Sequence, residues 1–210
     1  MTGKDIRERL IRIGRKAVKY KLVFASGGNI SVRYGCGMYI KTKGARLDSS
    51  NGKNYMWADL NTGRRTAKVG IVPSAEKYMH GACYKARKDI NAVLHFHPVF
   101  STAVANSRIK LGPISYELLA CLGSGILRAK YKPAGSMSLA IEIASLLKKT
   151  NAVLMPNHGL LTVGRDLDEA FERALAVERA CQTLVFSRLL GLFTFLPKKE
   201  AKRIIAFTRP

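Results

Sequence analysis

The order of apolar and polar residues along the chain predicts helices interspersed with short strands. Residues 4–22 carry apolar side chains at helical spacing and predict an amphipathic first helix that packs against a sheet. That stripe comprises Ile6, Leu10, Ile13, Ala17 and Tyr20. After a turn at residues 26–28, the segment 29–42 has the pattern of two strands that join at residues 35–37, so we expect a hairpin there.

The remainder of the chain continues in short elements. Helix-start residues and apolar spacing predict helices at residues 74–87 (with Ser74 as N-cap), 98–105, 115–122 and 136–149. Short apolar runs predict strands at residues 55–60, 68–72, 90–97, 152–155 and 160–164, with a turn at 61–63. A long last helix is predicted from Asp166 onward. Its apolar stripe, expected in the core, comprises Ala170, Ala174, Val177, Cys181 and Leu184.

This succession predicts an α/β or α+β-like sandwich, in which helices cover a central sheet. With 210 residues and 47% hydrophobic content, the chain can bury a sizeable core, and we expect residues 1–210 to form one domain. Apolar runs stay well short of the roughly 20 residues that span a bilayer. The N-terminus also lacks the apolar segment of a signal peptide. The expectation is a cytoplasmic protein without a membrane partner.

The net charge of +22 is the most unusual feature of the composition. Clustered cations bind nucleic-acid backbones, but here lysine and arginine are dispersed, without the aromatic interleaving of RNA-binding sheets. A nucleic-acid partner is therefore not expected. The charge fits either a cytoplasm that favours basic proteins or a field that draws in an anionic substrate.

Two histidines interrupt the apolar run at residues 90–99. In an extended chain alternate side chains share a face, so Val93, His95 and His97 point one way and Leu94 and Phe96 point the other. Two imidazoles therefore lie side by side. They either bind a divalent metal or are buried histidines with hydrogen-bond partners, and the spacing alone leaves both interpretations open.

A third histidine and a glutamate extend this candidate site. His158 follows a short apolar strand, beside a tight glycine turn of the kind that displays functional groups. Three neutral imidazoles with a carboxylate or water make an open tetrahedral metal site. Glu76, in the first turn of its predicted helix, either supplies that carboxylate or only complements the helix dipole. The fourth histidine, His80, is expected on the surface of the same helix.

Five short motifs, in order, resemble the class II aldolase and adducin family over about residues 4–190. They are Gly28-Asn29-Ile30-Ser31, Lys43-Gly44, Pro73-Ser74-Ala75-Glu76, His95-Phe96-His97 and Asn157-His158-Gly159-Leu160. The resemblance implies a mainly antiparallel central sheet between helix layers, and a homotetramer with active sites at subunit interfaces. It also implies a lyase that cleaves a ketose 1-phosphate, of the L-fuculose 1-phosphate type, to dihydroxyacetone phosphate and an aldehyde such as lactaldehyde.

The resemblance implies a role for each residue of the candidate site. His95, His97 and His158 match the family's zinc ligands, with one Zn²⁺ per subunit. Glu76 matches the acid that touches the metal and shuttles the proton. Tyr116 matches a tyrosine that reaches the neighbouring subunit's site and protonates the aldehyde oxygen, although a tyrosine in an apolar helix is ordinarily a packing residue.

A pocket for the substrate's phosphate is also implied. The matching residues are Gly28, Asn29, Lys43, Gly44, Ser74 and Ala75. Two of them depart from the aldolase pattern, since Lys43 stands in place of a threonine and Ala75 in place of a serine. Ala75 removes one hydroxyl, whereas Lys43 either supplies a positive charge or is a solvated loop lysine. Ser74 is expected where the amides of residues 75 and 76 point toward an anion.

Other members of the family have different functions. Pentulose-phosphate 4-epimerases carry aspartate where Glu76 stands, which favours an aldolase, whereas methylthioribulose-phosphate dehydratases share the glutamate. Adducin-like members are binding modules that lack the metal histidines, so the three histidines disfavour a purely structural role. The last residues contain Phe193, Phe195 and Phe207 but no tyrosine. A mobile tail that closes over the substrate with a tyrosine is therefore not expected.

Overall fold

The structure is a computed structural model that describes residues 2–49, 51–60, 71–109, 111–191 and 193–208. Within these ranges the strands form one seven-stranded sheet in the order β3-β2-β1-β4-β7-β6-β5. The strands are β1 (Asn29–Tyr34), β2 (Gly37–Lys41), β3 (Tyr55–Asp59), β4 (Ala92–Phe96), β5 (Leu127–Arg128), β6 (Ala152–Met155) and β7 (Gly159–Gly164). Neighbouring strands are antiparallel, except that β5 and β6 are parallel.

Helices precede, connect and follow these strands. They are α1 (Gly3–Lys19), α2 (Lys77–Ala86), α3 (Val99–Asn106), α4 (Tyr116–Leu122), α5 (Met137–Leu146), α6 (Leu167–Leu189) and α7 (Lys198–Thr208). A short 3-10 helix spans Gly52–Asn54. No helix in the described ranges is long and apolar enough to cross a bilayer.

The helices cover both faces of the sheet. On one face α1, α3, α4 and α6 pack with Leu94 and Phe96 of β4 in one apolar core. On the other face α2 and α5 pack with Val93 of β4 in a second core. The last helix, α7, packs on α4. The predicted sandwich, with a mainly antiparallel sheet between helix layers, is confirmed.

The predicted elements are present close to their expected positions, except that residues 71–72 of the predicted strand 68–72 lie in no strand. The apolar stripe of α6 is buried as expected. In α1 the stripe is buried only as far as Ala17. Tyr20 is 54% exposed because the helix ends at Lys19 and the chain turns away at Lys21, which has φ 57°. The predicted turn at residues 61–63 and residues 68–70 of the predicted strand 68–72 lie outside the described residues.

The beginning of α2 differs from the prediction. The helix starts at Lys77 and not at Ser74, because the residues before it pair with the end of β2. Pro73 forms a bridge with Thr42, and the amide of Ser74 donates to the carbonyl of the last residue of β2 over 2.9 Å. The surface position expected for His80 was also wrong. Its side chain is fully buried because α2 turns it toward β1.

Candidate active site

Three histidines meet at one end of the sheet. His95 lies in β4, His97 follows that strand, and His158 lies in the turn between β6 and β7. Since β4 and β7 are antiparallel neighbours, with Phe96 opposite Leu160, the end of β4 adjoins the beginning of β7. Side-chain alternation in β4 and this strand order together bring the three imidazoles to one place.

The turn that carries His158 has a backbone suited to its sequence. Asn157 has φ 55°, in the left-handed region that asparagine tolerates better than most residues. A side chain at Gly159 would collide with the carbonyl of Phe96 and the ring of His97. A residue without a Cβ is therefore needed for this turn to lie so close to the end of β4. The close approach places His158 beside the other two histidines.

The ring nitrogens of the three histidines converge. The Nε2 atoms of His95 and His97 are 2.8 Å apart, and ligand nitrogens of all three residues lie within 4.8 Å of one another. The ring centroid of His95 is 4.6 Å from that of His97 and from that of His158. His95 is buried whereas His97 is exposed, so the cluster opens toward solvent on one side.

A backbone hydrogen bond fixes the proton of His95. Its Nδ1 lies 3.0 Å from the carbonyl oxygen of Leu160. Because a carbonyl can only accept, Nδ1 carries the hydrogen, and in the neutral ring Nε2 keeps a lone pair directed into the cluster. Burial lowers the pKa of His95 to about 3. The ring is therefore neutral at physiological pH, which is the form that binds metals.

Glu76 brings a carboxylate to the histidines. Its Oε2 lies 3.1 Å from Nε2 of His95, and its Oε1 lies 3.0 Å from Nε2 of His158. Asn29 donates to Oε2 through Nδ2 over 2.8 Å. Burial acts to raise the pKa of the carboxyl, but the contact with His158 and the hydrogen bond from Asn29 stabilise the carboxylate and hold the pKa below its usual value. Glu76 is thus ionised at neutral pH although it is 7% exposed.

The donor set fits a divalent cation. With the proton of His95 on Nδ1, the lone pair of its Nε2 faces the carboxylate of Glu76 at 3.1 Å with no hydrogen between them. Such an arrangement is unfavourable unless a cation lies among these atoms. Three imidazoles with one further ligand suit tetrahedral zinc, and metal-bound histidines commonly donate their other nitrogen to a carbonyl. These residues could therefore hold a metal ion.

Lys41 is a residue of this region that the sequence reasoning missed. It ends β2, is 3% exposed, and donates through Nζ to the carbonyls of Ser26 (2.6 Å) and Ala45 (2.9 Å). These bonds tie the loop before β1 to the loop after β2. Burial lowers the pKa of Lys41 to about 8, against the attraction of the Glu76 carboxylate. The signal in the sequence was a charged residue at the end of a run of strand-forming residues.

The residues matched to a phosphate pocket come from three segments around Lys41. Two of these segments, the loop after β2 and the one before α2, lie side by side, since the amide of Lys43 donates to the carbonyl of Val72 over 2.9 Å. Three of the six matched residues are buried, namely Gly28, Asn29 and Ser74. The other three, Lys43, Gly44 and Ala75, are exposed. The loop after β2 thus offers a phosphate both a positive charge, at Lys43, and exposed backbone, at Gly44.

Two details refine the expected pocket. Gly44 has φ 74°, and no heavy atom of the described residues lies within 4 Å of the position a Cβ would take, so this part of the structure leaves its backbone open to a ligand. By contrast, the amide of Glu76 donates to Oγ of Ser74 over 3.3 Å. The expectation that the amides of residues 75 and 76 both point freely toward an anion is therefore wrong for Glu76.

Tyr116 lies apart from this cluster. It is the first residue of α4, its side chain is 53% exposed, and it is close enough to Arg203 of α7 for an electrostatic interaction. Among the described residues no hydrogen bond connects its hydroxyl with the three histidines. The structure of one chain therefore brings together His95, His97, His158 and Glu76 but not Tyr116.

Comparisons with known proteins agree with this geometry. Residues 8–185 match the model of the class II aldolase and adducin N-terminal domain. An L-fuculose phosphate aldolase of Methanococcus maripaludis is 31% identical over 174 residues, which is 82% of this chain and 92% of the relative. The L-fuculose phosphate aldolase of Escherichia coli K12 is 34% identical over 157 residues, which is 75% of this chain and 72% of the relative.

Solved structures show the same architecture. An L-fuculose 1-phosphate aldolase superposes with a TM-score of 0.91 at 29% identity and covers 99% of this chain and 97% of its own. A sugar-phosphate aldolase from Thermotoga maritima has a TM-score of 0.82 at 21% identity, covering 91% of this chain and 98% of its own. The second likeness shows a shared fold.

Proposed function

The chain belongs to the class II aldolase and adducin family and is a lyase of the aldolase type, and we propose that it is a zinc-dependent ketose 1-phosphate aldolase. Its proposed substrate is L-fuculose 1-phosphate or a closely similar sugar phosphate. The products are dihydroxyacetone phosphate and an aldehyde such as lactaldehyde. The convergence of three imidazoles and one buried carboxylate at one end of the sheet is the observation that supports this most strongly.

The proposed metal ligands are His95, His97, His158 and Glu76, with one Zn²⁺ per subunit. Zinc held by these residues would supply a Lewis acid, which would offset the negative charge that develops when the carbon–carbon bond breaks. His95 is prepared for this role by its bond to the Leu160 carbonyl, which directs the unprotonated Nε2 toward the site.

Glu76 is the proposed proton shuttle. Its ionised carboxylate accepts the proton of the substrate hydroxyl, the adjacent carbon–carbon bond breaks, and the electron pair stays on the dihydroxyacetone phosphate fragment. Glu76 then returns the proton to that carbon, so the reaction balances without another reactant. Burial and the bond from Asn29 hold the carboxylate in one orientation, which supports a role in directed proton transfer.

The phosphate is proposed to bind beside Lys41, at Gly28, Asn29, Lys43, Gly44, Ser74 and Ala75. Lys43 supplies positive charge where the aldolase pattern has a threonine hydroxyl, and the buried Lys41 adds a second positive charge nearby. A charged sugar phosphate does not cross a bilayer unaided, so we propose a cytoplasmic enzyme, in which residues 1–210 form one domain.

Tyr116 is proposed to act in the site of a neighbouring copy within a homotetramer. Its exposed side chain, away from the histidines of its own chain, is consistent with that arrangement. In the bond-forming direction the phenol donates its proton to the aldehyde oxygen and is reprotonated by Glu76, which has taken a proton from the carbon of dihydroxyacetone phosphate. In cleavage the proton of the substrate hydroxyl therefore passes through the phenol to Glu76. Catalysis then requires assembly, because each site needs Tyr116 from a second chain.

The function is tested by the release of dihydroxyacetone phosphate from L-fuculose 1-phosphate by the purified protein. Release that stops with a chelator and returns with Zn²⁺ is the expected result. A zinc-loaded protein that releases none would contradict the aldolase proposal. Assays for dehydration or 4-epimerisation of phosphorylated sugars would then test these two alternative reactions.

A further inference from the structure

A row of polar contacts joins β1 to α2 behind the histidine cluster. Alternate residues of a strand share a face, and the face of β1 that meets α2 carries polar side chains. Each of them contacts α2 or the residue just before it. We define the β1–α2 seam as Asn29, Ser31 and Arg33 of β1 with Glu76, His80 and Tyr84 on or next to α2.

Ser31 is the centre of this seam. Its Oγ lies 2.7 Å from Nδ1 of His80 and 2.8 Å from the hydroxyl of Tyr84. All three side chains are fully buried, so each must find its hydrogen-bond partners within the protein. The seam therefore favours one placement of α2 on β1 over others that would leave these groups unpaired.

The matching residue spacing of β1 and α2 links the position of Glu76 to the contacts of Ser31. Two residues along a strand cover about 6.7 Å, and four residues along a helix cover about 6 Å. Asn29 and Ser31 are two residues apart in β1, and their partners Glu76 and His80 are four residues apart. Because these two distances nearly match, both contacts form at the same time. A slip of α2 by one residue would break both contacts.

Arg33 fixes the other end of the seam. Its Nη2 donates to the carbonyls of Tyr84 and Arg87, each over 2.8 Å, at the end of α2. These carbonyls lack partners inside the helix, and a cation also complements the helix dipole there. Both ends and the middle of α2 are thus bonded to a single strand.

We propose that Ser31 and His80 are positioning residues that set where the carboxylate of Glu76 lies relative to the three histidines. This inference rests on the proposed function of Glu76 in the aldolase. His80 follows Glu76 by one helical turn, and its amide donates to the Glu76 carbonyl over 3.2 Å, so a displaced His80 moves the turn that carries the carboxylate. Misplacement of a catalytic group by about 1 Å can cost about 10²-fold in rate.

The central test compares Ser31→Ala with Ser101→Ala. Ser101 of α3 is also fully buried, and its Oγ donates to Glu178 over 2.6 Å, outside the seam. Both variants lose a buried hydroxyl and are expected to lose similar stability. Only Ser31→Ala should lower kcat, by about tenfold or more, and weaken Co²⁺ affinity by about tenfold, with KM little changed. If kcat and Co²⁺ affinity of Ser31→Ala equal those of Ser101→Ala, the seam does not position Glu76.

Two replacements of His80 test whether its hydrogen bond to Ser31, and not merely the volume of its side chain, is needed to position Glu76. An asparagine amide reaches the place of Nδ1, the nitrogen bonded to Ser31. A glutamine amide instead reaches the place of Nε2, which is buried and has no hydrogen-bond partner among the described residues. His80→Asn should therefore keep several-fold more activity and Co²⁺ affinity than His80→Gln. The reverse order would overturn the proposal.

A milder pair of variants serves if replacements of Ser31 or His80 do not fold. Tyr84→Phe removes only the hydroxyl that meets Ser31, and Tyr55→Phe removes a buried hydroxyl that donates to Leu10 over 3.4 Å, away from the seam. A lower kcat in Tyr84→Phe alone supports positioning. Equal kcat in the two variants contradicts it.

Co²⁺ binding separates this inference from the proposed function. If the unmodified protein binds Co²⁺ but cleaves no ketose 1-phosphate, the aldolase proposal fails, while the affinities of Ser31→Ala and Ser101→Ala still test the seam. If the protein cleaves the substrate, and Ser31→Ala and Ser101→Ala have the same Co²⁺ affinity and the same kcat, only the proposal for the seam is wrong. A protein that neither binds Co²⁺ nor cleaves substrate overturns both.

Discussion

Asn29 donates a 2.8 Å hydrogen bond to Glu76, while its own backbone lies opposite His95 in the β1–β4 pair. One residue thus connects the carboxylate with the strand that carries the buried imidazole. Because both contacts start from the same residue of β1, the relative position of Glu76 and His95 depends on the sheet and not on a mobile loop. This rigidity underlies the predictions for both residues.

Replacing Glu76 with glutamine should abolish turnover while the metal stays largely bound. The amide keeps the size of the side chain and an oxygen that can face a metal, but it cannot accept the substrate's proton. We expect kcat to fall by about 10³-fold, within the usual range for loss of a general base. Metal content and kcat measured on the same sample check this. Normal turnover in Glu76→Gln would remove Glu76 from proton transfer.

His95→Ala should lose the metal. His95 is the buried ligand whose proton is fixed by the Leu160 carbonyl, and its removal leaves only three of the four proposed donors. We expect elemental analysis after zinc loading to drop from about one ion per chain to nearly none. His80→Asn is the matched control, since that histidine bonds to Ser31 and should keep its zinc under saturating conditions. Full occupancy in His95→Ala would exclude His95 as a ligand.

Lys41 should make the stability of the protein depend on pH in a defined window. Its folded pKa, about 8, lies below the ordinary value of 10.5. Between these values the unfolded chain binds more protons at this lysine than the folded chain does, so stability rises with pH. Below about pH 8 the full cost of burying the charge is present, and above about 10.5 it is absent.

The comparison with Lys41→Met isolates this effect, because other groups titrate alike in both proteins. Between pH 8 and 10.5 the unmodified protein should gain stability relative to the variant. Guanidinium chloride unfolding of both proteins at pH 7, 8, 9 and 10 measures the difference. A difference that does not change with pH would show that the lysine is not buried as a cation.

Lys43→Thr restores the residue expected in the aldolase pattern and tests whether the lysine binds phosphate. If the exposed ammonium contacts the substrate's phosphate, KM should rise by about fivefold with kcat nearly unchanged, and the effect should shrink at high salt. Lys85→Thr, an exposed lysine of α2, is the control for net charge. An unchanged KM, with the same salt dependence in Lys43→Thr as in the unmodified protein, would identify Lys43 as a solvated loop lysine.

The sequence was sufficient for the parts of the site that depend on local periodicity. The period of two in β4 placed His95 on the same face as Val93, and short apolar runs located the strands that end at the histidines. The sandwich of helices and sheet followed from the succession of elements. The position of His158 after an apolar strand made it a candidate third ligand, but its assignment to the same site as His95 and His97 came from the family resemblance, since strand order is not visible in one sequence.

Contacts between distant segments could not be predicted in the same way. The start of α2 is delayed because Pro73 pairs with Thr42, and a capping residue such as Ser74 gives no sign of that pairing. His80 is buried because its partner, Ser31, lies in another element. Lys41 is buried because two loops offer it carbonyl oxygens. Each case depends on three-dimensional neighbours and not on sequence spacing.

Mixing two inactive variants tests whether Tyr116 and Glu76 act from different chains. Tyr116→Phe should lower kcat by about 10²-fold without loss of metal, because only the phenolic proton is removed. If each site combines Glu76 of one chain with Tyr116 of a neighbour, subunits of Tyr116→Phe and Glu76→Gln that are mixed, dissociated and reassembled will contain intact sites. Random assembly places both functional residues in about one site in four.

Activity of the reassembled mixture should therefore reach about a quarter of that of the unmodified protein, well above either variant alone. The same protocol with each variant by itself is the control for reassembly, and size-exclusion chromatography checks that tetramers form. Restored activity requires residues from two chains in one site, since no single chain in the mixture carries both. If the mixture stays as inactive as its components, Tyr116 acts within its own chain or not at all, and the exposed ring at the start of α4 has a structural role.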